Sequence, residues 1–393
     1  MAEAGSVPWR PSWRLPRQLI TLDTGVTLAY VDLPPHAPPD TETEPDRSDG
    51  GHPPTVVMLH GLTNDADSWA DTVETFRAEL PHARVLIPDL RGHGQSTLPA
   101  DGGWRLDPVA AFAMSELAGD VSALLRALGV ARATVIGHSM GSLVALHQGL
   151  ADPELVARLV LVSTTGRARD TPFLSDWLRH DVIEDHWRKA LADRGVPWLP
   201  DAMSLTPLDA DPDAVNWMQT FWNLYPFAPD KPTRELAERA ARLPLATWLG
   251  ATQSILDTDL LADLDRLRAP VGALWATQDS FFRADDQQAL IATLAGAAAR
   301  RADAFVWKQY GRLPLAADGI QTDDLGHNLT WDAPHQLAID LAACMRAGSP
   351  TPAWFRSGVP NEPRSVVVDP QPAPIVTGGR RHGPAGSDSP VLA

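Results

Sequence analysis

Short apolar runs alternate with longer stretches of helical spacing along most of this chain. Residues 18–22 and 26–31, parted by Asp23-Thr24-Gly25, alternate in the manner of a β-hairpin. Continuous apolar runs of strand length follow at 55–59 (TVVML), at 84–87, from 133, at 155–163 and at 271–276 (VGALWA), with another at 304–310. Between them, 67–80, 107–128, 285–294 and 334–345 read as helices. Asp107 supplies the N-cap of the second and Pro108 its first turn, and Gly129 ends it. Strands buried on both faces, alternating with helices, predict an α/β protein with a doubly wound, mostly parallel sheet.

Three stretches break the alternation. From about 166 to 250 there is no buried strand, only helix-length segments. Six of the fourteen tryptophans fall there (177, 187, 198, 217, 222 and 248), with Phe173, Phe221, Tyr225 and Phe227. An aromatic helical insertion between two strands reads as a lid over 166–255. Most of its rings are expected to pack it onto the core, and one or two to line an apolar pocket. Residues 33–54 hold seven prolines among acidic and small residues and predict a solvated loop. Residues 347–393 hold nine prolines and read as a disordered tail, although Val366-Val367-Val368 could add a strand. The expected organisation is an arm (1–17, with Trp9 and Trp13), a core in two parts (18–165 and 256–346), the inserted lid and the tail. No internal repeat is visible.

Composition narrows the function classes. The formal charge of −16 argues against a nucleic-acid or anionic-membrane surface. Cys344 is the only cysteine, so no internal disulfide or cysteine-based metal cluster forms. The histidines show no metal-ligand spacing, and neither metal nor cofactor is expected. The N-terminus has no apolar signal core and no run approaches membrane-spanning length, so a cytoplasmic protein is expected.

The chemistry centres on residues 133–145, ATVIGHSMGSLVA. A strand that turns sharply into a helix leaves no room for side chains two residues either side of the tip. Glycines at 137 and 141 meet that need and push Ser139 out as a strained nucleophile. A serine hydroxyl also needs a base, a group to orient the base, and donors for an oxyanion. His327, after a glycine in a loop beyond the last sheet strand, is the expected base. His335 is the rival, inside a predicted helix. Asp279, just past an apolar strand, is the expected orienting acid. Asp285 and Asp286 fall too far into the next helix, and Asp323 and Asp324 remain alternatives. The backbone N–H groups of Met140 and Leu62 are the expected oxyanion donors. His60 is expected to hydrogen-bond within its own loop, while His138 either contacts substrate or packs. The Gly92-x-Gly94 turn lacks the rest of a dinucleotide or phosphate-loop motif and reads as a tight turn.

HGL at 60–62, DLRGHGQS at 89–96, GHSMG at 137–141, the acid at 279 and GHN at 326–328 occur in that order. Together they resemble the α/β-hydrolase fold superfamily, over about 18–165 and 256–346. The resemblance implies an eight-stranded core and a Ser139–His327–Asp279 triad. Serine as nucleophile separates the chain from the family's haloalkane dehalogenases and epoxide hydrolases, which use aspartate there. Two departures stand out. Ser142 replaces a glycine often found after GHSMG, and the connection from Asp279 to His327 is long. The expected activity is hydrolysis of a carboxylic ester or lactone carrying an apolar group, through an acyl-enzyme. Cleavage of a carbon–carbon bond in a ring-fission product, a thioesterase reaction, and non-catalytic ligand binding are the alternatives.

Overall fold

The computed structural model describes residues 14–36, 54–169, 171–222, 233–276, 279–282, 284–301, 305–310, 325–351, 353–356 and 359–365. The hairpin strands β1 (Gln18–Thr21) and β2 (Thr27–Leu33) pair antiparallel, with Gly25 at φ 79° in the turn. The sheet continues through β3 (Thr55–Leu59), β4 (Arg84–Pro88), β5 (Ala133–His138), β6 (Val156–Val162), β7 (Val271–Ala276) and β8 (Phe305–Tyr310). Its eight strands lie in the order β1-β2-β4-β3-β5-β6-β7-β8, parallel from β4 onward. The chain thus steps from β3 to one side and then returns to place β5 on the other. The carboxyl ends of β3 and β5 flank that reversal, where ligand sites of open α/β sheets form.

The continuous apolar runs are explained by two-sided burial. Alternate residues Val57, Leu59, Val135, Leu159 and Leu161 pack into one hydrophobic cluster. Their neighbours Val56, Met58, Ile136, Val160 and Val162 pack into a second cluster on the opposite face. Helices Ala70–Glu79 and Pro334–Ala347 cover the second face through Val73, Phe76, Leu337 and Leu341. Helices Met114–Ala127 and Met140–Ala151 cover the first through Leu117, Val121, Leu143 and Leu146.

Two helices differ from expectation. The predicted helix over 107–128 is broken into Pro108–Ala111 and Met114–Ala127, because Ala113 adopts φ −50°, ψ 138°. The break is held by Arg91. Its guanidinium donates to Ala111 O at 2.7 Å and Glu116 O at 3.2 Å, and pairs with Asp120 at 2.6 and 2.8 Å. The stretch Pro108–Ala127 is long and apolar enough to cross a membrane by length and composition, and 61% of its apolar window is buried in the fold. Helix Ala284–Arg301 runs past the expected end at 294, since the Ala-rich segment after it sustains a helix.

Between β6 and β7 the insertion is helical. It includes the i→i+5 helix Phe173–Arg188 and helices Thr233–Ala240 and Leu245–Leu256. Its tryptophans interlock: Trp187 lies 5.9 Å from Trp217 and 5.4 Å from Trp248, and Trp248 lies 5.1 Å from Trp222, as ring centroids. Tyr225, Phe227, Trp9, Trp13 and Val366-Val367-Val368 lie outside the described residues. Within the tail, β9 (Ala353–Arg356) and β10 (Val359–Ser365) pair antiparallel where irregular chain was expected. The aromatic Trp354 and Phe355 are residue types that favour strands.

Candidate active site

The turn from β5 into helix Met140–Ala151 is as tight as its glycines imply. A Cβ on Gly137 would lie 2.2 Å from Gly141 O, and one on Gly141 would lie 2.5 Å from Leu59 O. Ser139 at the tip adopts φ 55°, ψ −122°. For a non-glycine residue that conformation costs on the order of 1–3 kcal/mol, so the surrounding packing must enforce it. Ser139 N–H donates to Val162 O at 2.9 Å, fixing the turn to the next strand. Ser142, the departure from the family pattern, sets its hydroxyl 2.5 Å from Ser139 O and 2.6 Å from Thr164 Oγ1. The hydroxyl therefore braces the elbow rather than disturbing it.

His327 and Asp279 converge on this serine from the far half of the chain. His327 Nε2 lies 2.7 Å from Ser139 Oγ, and its Nδ1 lies 2.9 and 3.0 Å from the two oxygens of Asp279. Nδ1–H donates to the carboxylate, which leaves Nε2 as an acceptor for the serine proton. Asp279 is itself fixed: Oδ1 accepts from Phe281 N at 2.9 Å and Phe282 N at 3.0 Å, and Oδ2 from Gln287 Nε2 at 3.3 Å. Capping the chain after β7 and orienting the histidine are thus jobs of one carboxylate. The rings of Phe281 and Phe282 stand 4.4 and 5.3 Å from the His327 ring and shield it.

The other histidines take structural places. His335 is bonded to Thr75 on the outside of its helix, 2.7 Å from Oγ1. His60 donates from Nδ1 to Gly61 O at 2.8 Å and accepts at Nε2 from Leu90 N at 2.9 Å. Burial first, and neighbouring His93 next, hold its pKa well below the usual value, so it is neutral. His138 donates from Nε2 to His327 O at 2.9 Å, and burial lowers its pKa to about 3. It lines the cleft and packs against the backbone of His327. Asp285 and Asp286 sit in helix Ala284–Arg301, with Asp286 3.6 Å from Arg167. Asp323 and Asp324 lie outside the described residues.

Leu62 follows β3 and lines the cleft beside Ser139, and Met140 is the first residue of the elbow helix. Gly61 packs against Ser139, since a Cβ there would lie 3.1 Å from Ser139 Cβ. The Gly92-x-Gly94 turn has φ 70° and 52°, and a Cβ on Gly94 would meet Asp89 at 2.3 Å. It is a tight turn bound to its own carboxylate.

The cleft over Ser139 is narrow, with a cavity volume of about 40 Å³. Leu174, Trp222 and Ile255 from the insertion, with Phe281, Phe282 and Trp331, make an apolar wall. Thr63, Asn64 and Asn328 add uncharged polar groups, and no Lys, Arg, Asp or Glu lines it among the described residues. Phe281 and Phe282 were not singled out in the sequence, although their place directly after the acid at the end of β7 was a usable signal. His180, Asp181 and Asp185 place possible ligand atoms within 4.8 Å of one another, but on an exposed helix face away from the cleft lining.

The family model for the alpha/beta hydrolase fold matches residues 54–304, well over half of the chain. The chain belongs to the α/β-hydrolase fold family. Curated relatives are local matches. An uncharacterized protein of Mycobacterium tuberculosis is 33% identical over 121 residues, 30% of this chain and 32% of the relative. A carbamate hydrolase of Pantoea ananatis, described as putative, is 33% identical over 109 residues, 28% of this chain and 36% of the relative. The match thus spans about a third of each relative's length. Among solved structures, a hydrolase from Pseudomonas aeruginosa PA01 aligns with TM-score 0.56 and 20% identity, covering 85% of this chain and 98% of that one. An esterase from Thermogutta terrifontis aligns with TM-score 0.54 and 20% identity, covering 84% and 98%. At these identities the likeness concerns the fold.

Proposed function

We propose that this α/β-hydrolase family member is a serine hydrolase that cleaves an uncharged carboxylic ester or lactone through an acyl-enzyme. The observation that carries this reading is the unbroken path from Ser139 Oγ through His327 to Asp279, with both contacts under 3.1 Å, at the floor of an aromatic cleft. Ser139 Oγ attacks the carbonyl carbon while its proton passes to His327 Nε2. Asp279 stabilises the imidazolium and keeps the ring aligned. The negative charge on the former carbonyl oxygen is met by the N–H groups of Leu62 and Met140, with the N-terminus of the elbow helix behind them. His327 then protonates the departing alkoxide. Water, deprotonated by the same nitrogen, attacks the acyl carbon and releases the acid and Ser139. In a lactone the released alcohol stays tethered to the acyl group, and the second step frees a single hydroxy acid.

The uncharged lining favours substrates without a free carboxylate or ammonium, because a buried unpaired charge is costly. The helical insertion acts as a lid, since it supplies Leu174, Trp222 and Ile255 to the cleft wall. The test is a panel of short p-nitrophenyl esters, lactones, thioesters and vinylogous diketones with wild type and Ser139→Ala. Hydrolysis of esters or lactones that Ser139→Ala abolishes supports the reading. A rate unchanged in Ser139→Ala refutes it, and turnover confined to the diketones reassigns the bond cleaved.

A further inference from the structure

Behind the loop that follows β3, three carboxylates are gathered where the reaction proposed above uses none. Asp65 and Asp67 follow Leu62 in the same loop, and Asp89 comes from the end of β4. Their side chains are nearly closed to solvent, at 8%, 4% and 0% exposure. Three like charges this close and this dry would drive the loop apart without cations between them. Arg17, from the segment before β1, is inserted among all three with 5% of its side chain exposed. Its Nη1 bonds Asp67, and its Nη2 lies 3.3 Å from both Asp65 and Asp89. Leu15 N adds a bond to Asp67 Oδ1 at 2.9 Å. From the other side, Arg239 of helix Thr233–Ala240 reaches Asp65 and Asp67.

These carboxylates are also the loop's internal fasteners. Asp65 Oδ1 accepts from Asp67 N at 2.9 Å, and Asp89 Oδ1 accepts from Ala66 N at 2.8 Å. The stretch they secure is strained. Thr63, β-branched and next to Leu62, sits at φ 63°, a conformation that such a residue holds only when its surroundings enforce it. Other ties on this stretch include the turn from Asn64 N to Gly61 O at 3.2 Å, His60 Nδ1 to Gly61 O at 2.8 Å, Ser68 N and Oγ to Asp65 O at 3.0 and 2.8 Å, and Trp222 Nε1 to Thr63 Oγ1 at 2.8 Å.

We infer that Arg17 is a positioning residue for oxyanion stabilisation: by binding Asp65, Asp67 and Asp89 together it holds the strained Gly61–Asp65 turn so that Leu62 N–H faces Ser139. The inference rests on the proposed serine chemistry. It makes a segment that precedes the sheet, and that touches no substrate, part of what sets the rate. The planar fork of an arginine is what allows one cation to bridge three carboxylates, which a lysine ammonium does less well.

The test uses the full chain with Arg17→Met and Arg17→Lys, active sites titrated, and a p-nitrophenyl ester as substrate. An aryl trifluoromethyl ketone, whose adduct on serine carries the oxyanion, is the inhibitor. For Arg17→Met, kcat per active site should fall about 10- to 100-fold with KM little changed, and ketone affinity should weaken in step with kcat/KM. Arg17→Lys keeps the charge and should fold where Arg17→Met does not. It should lose about 3- to 10-fold in kcat, with a parallel loss of ketone affinity. Wild-type kcat and wild-type ketone affinity in Arg17→Lys, or in folded Arg17→Met with only a lower melting temperature, would overturn the inference and leave a purely structural ion network. A wild-type protein that neither hydrolyses the ester nor binds the ketone would instead remove the serine-hydrolase reading beneath it.

Discussion

Moving the protein from pH 7 to pH 5 should cost it several kcal/mol of folding stability while most carboxylates remain ionised. Three histidines are closed off inside the fold: His60, His93 and His138. Burial is the largest cause of a lowered pKa in each, well below the usual value for His60, to about 4 for His93 and to about 3 for His138. In the unfolded chain the same rings titrate near 6.5, so between that value and the folded one the unfolded state holds the extra protons. The contribution of the neutral rings is therefore fully present above about pH 6.5 and is lost as pH falls below it. At pH 5 the unfolded chain is favoured by about 1.5 pH units of protonation for each of His93 and His138, or about 2 kcal/mol each and about 4 kcal/mol for the two, and His60 acts in the same direction. Residual structure in the unfolded ensemble trims that figure. Against a typical stability of about 5–15 kcal/mol the change is large. Urea titrations followed by tryptophan fluorescence at pH 7, 6, 5.5 and 5 measure it. Stability should be level above pH 6.5 and fall steadily below. His93→Asn, which can still donate to Arg91 O, should reduce the loss by about 2 kcal/mol. Stability that holds constant or rises from pH 7 to pH 5 would refute the reasoning.

Two further substitutions separate chemistry from scaffold. Asp279→Asn keeps the shape but favours the wrong histidine tautomer, so kcat should drop by about 10³- to 10⁴-fold with the far-ultraviolet circular dichroism unchanged. Asp120→Ala strips the buried Arg91 of its best partner and leaves the exposed Glu116, 3.8 Å away, as the remaining carboxylate. It should destabilise the protein by about 3–5 kcal/mol in urea titrations while kcat per active site stays near wild type.

The parts of this molecule that were legible in the sequence are those encoded locally. The two-sided strands announced themselves as continuous apolar runs, and the elbow as two glycines spaced around a serine. His327 and Asp279 were identifiable because each sits just beyond a recognisable strand or glycine at the carboxyl edge of the sheet. The break at Ala113 was not legible. It depends on Arg91, some twenty residues away, reaching the carbonyls that the break frees. The packing partner of His138 was hidden for a similar reason, since it is a backbone carbonyl 189 positions on. The Arg17 network is the extreme case: its contacts join residues 48 to 72 positions apart, and Arg239 adds a partner 172 positions from Asp67. Ion pairs of that range leave no periodicity and no spacing to read.

The most direct test of the central claim is to trap the covalent intermediate. Wild-type protein mixed with excess p-nitrophenyl butyrate, quenched in acid within the first turnovers and digested, should yield the peptide containing Ser139 with the mass of one added butyryl group. The adduct should accumulate with the burst of nitrophenolate and be absent from Ser139→Ala. Steady hydrolysis with that peptide unmodified, or an acyl group carried on any other residue, would contradict the account.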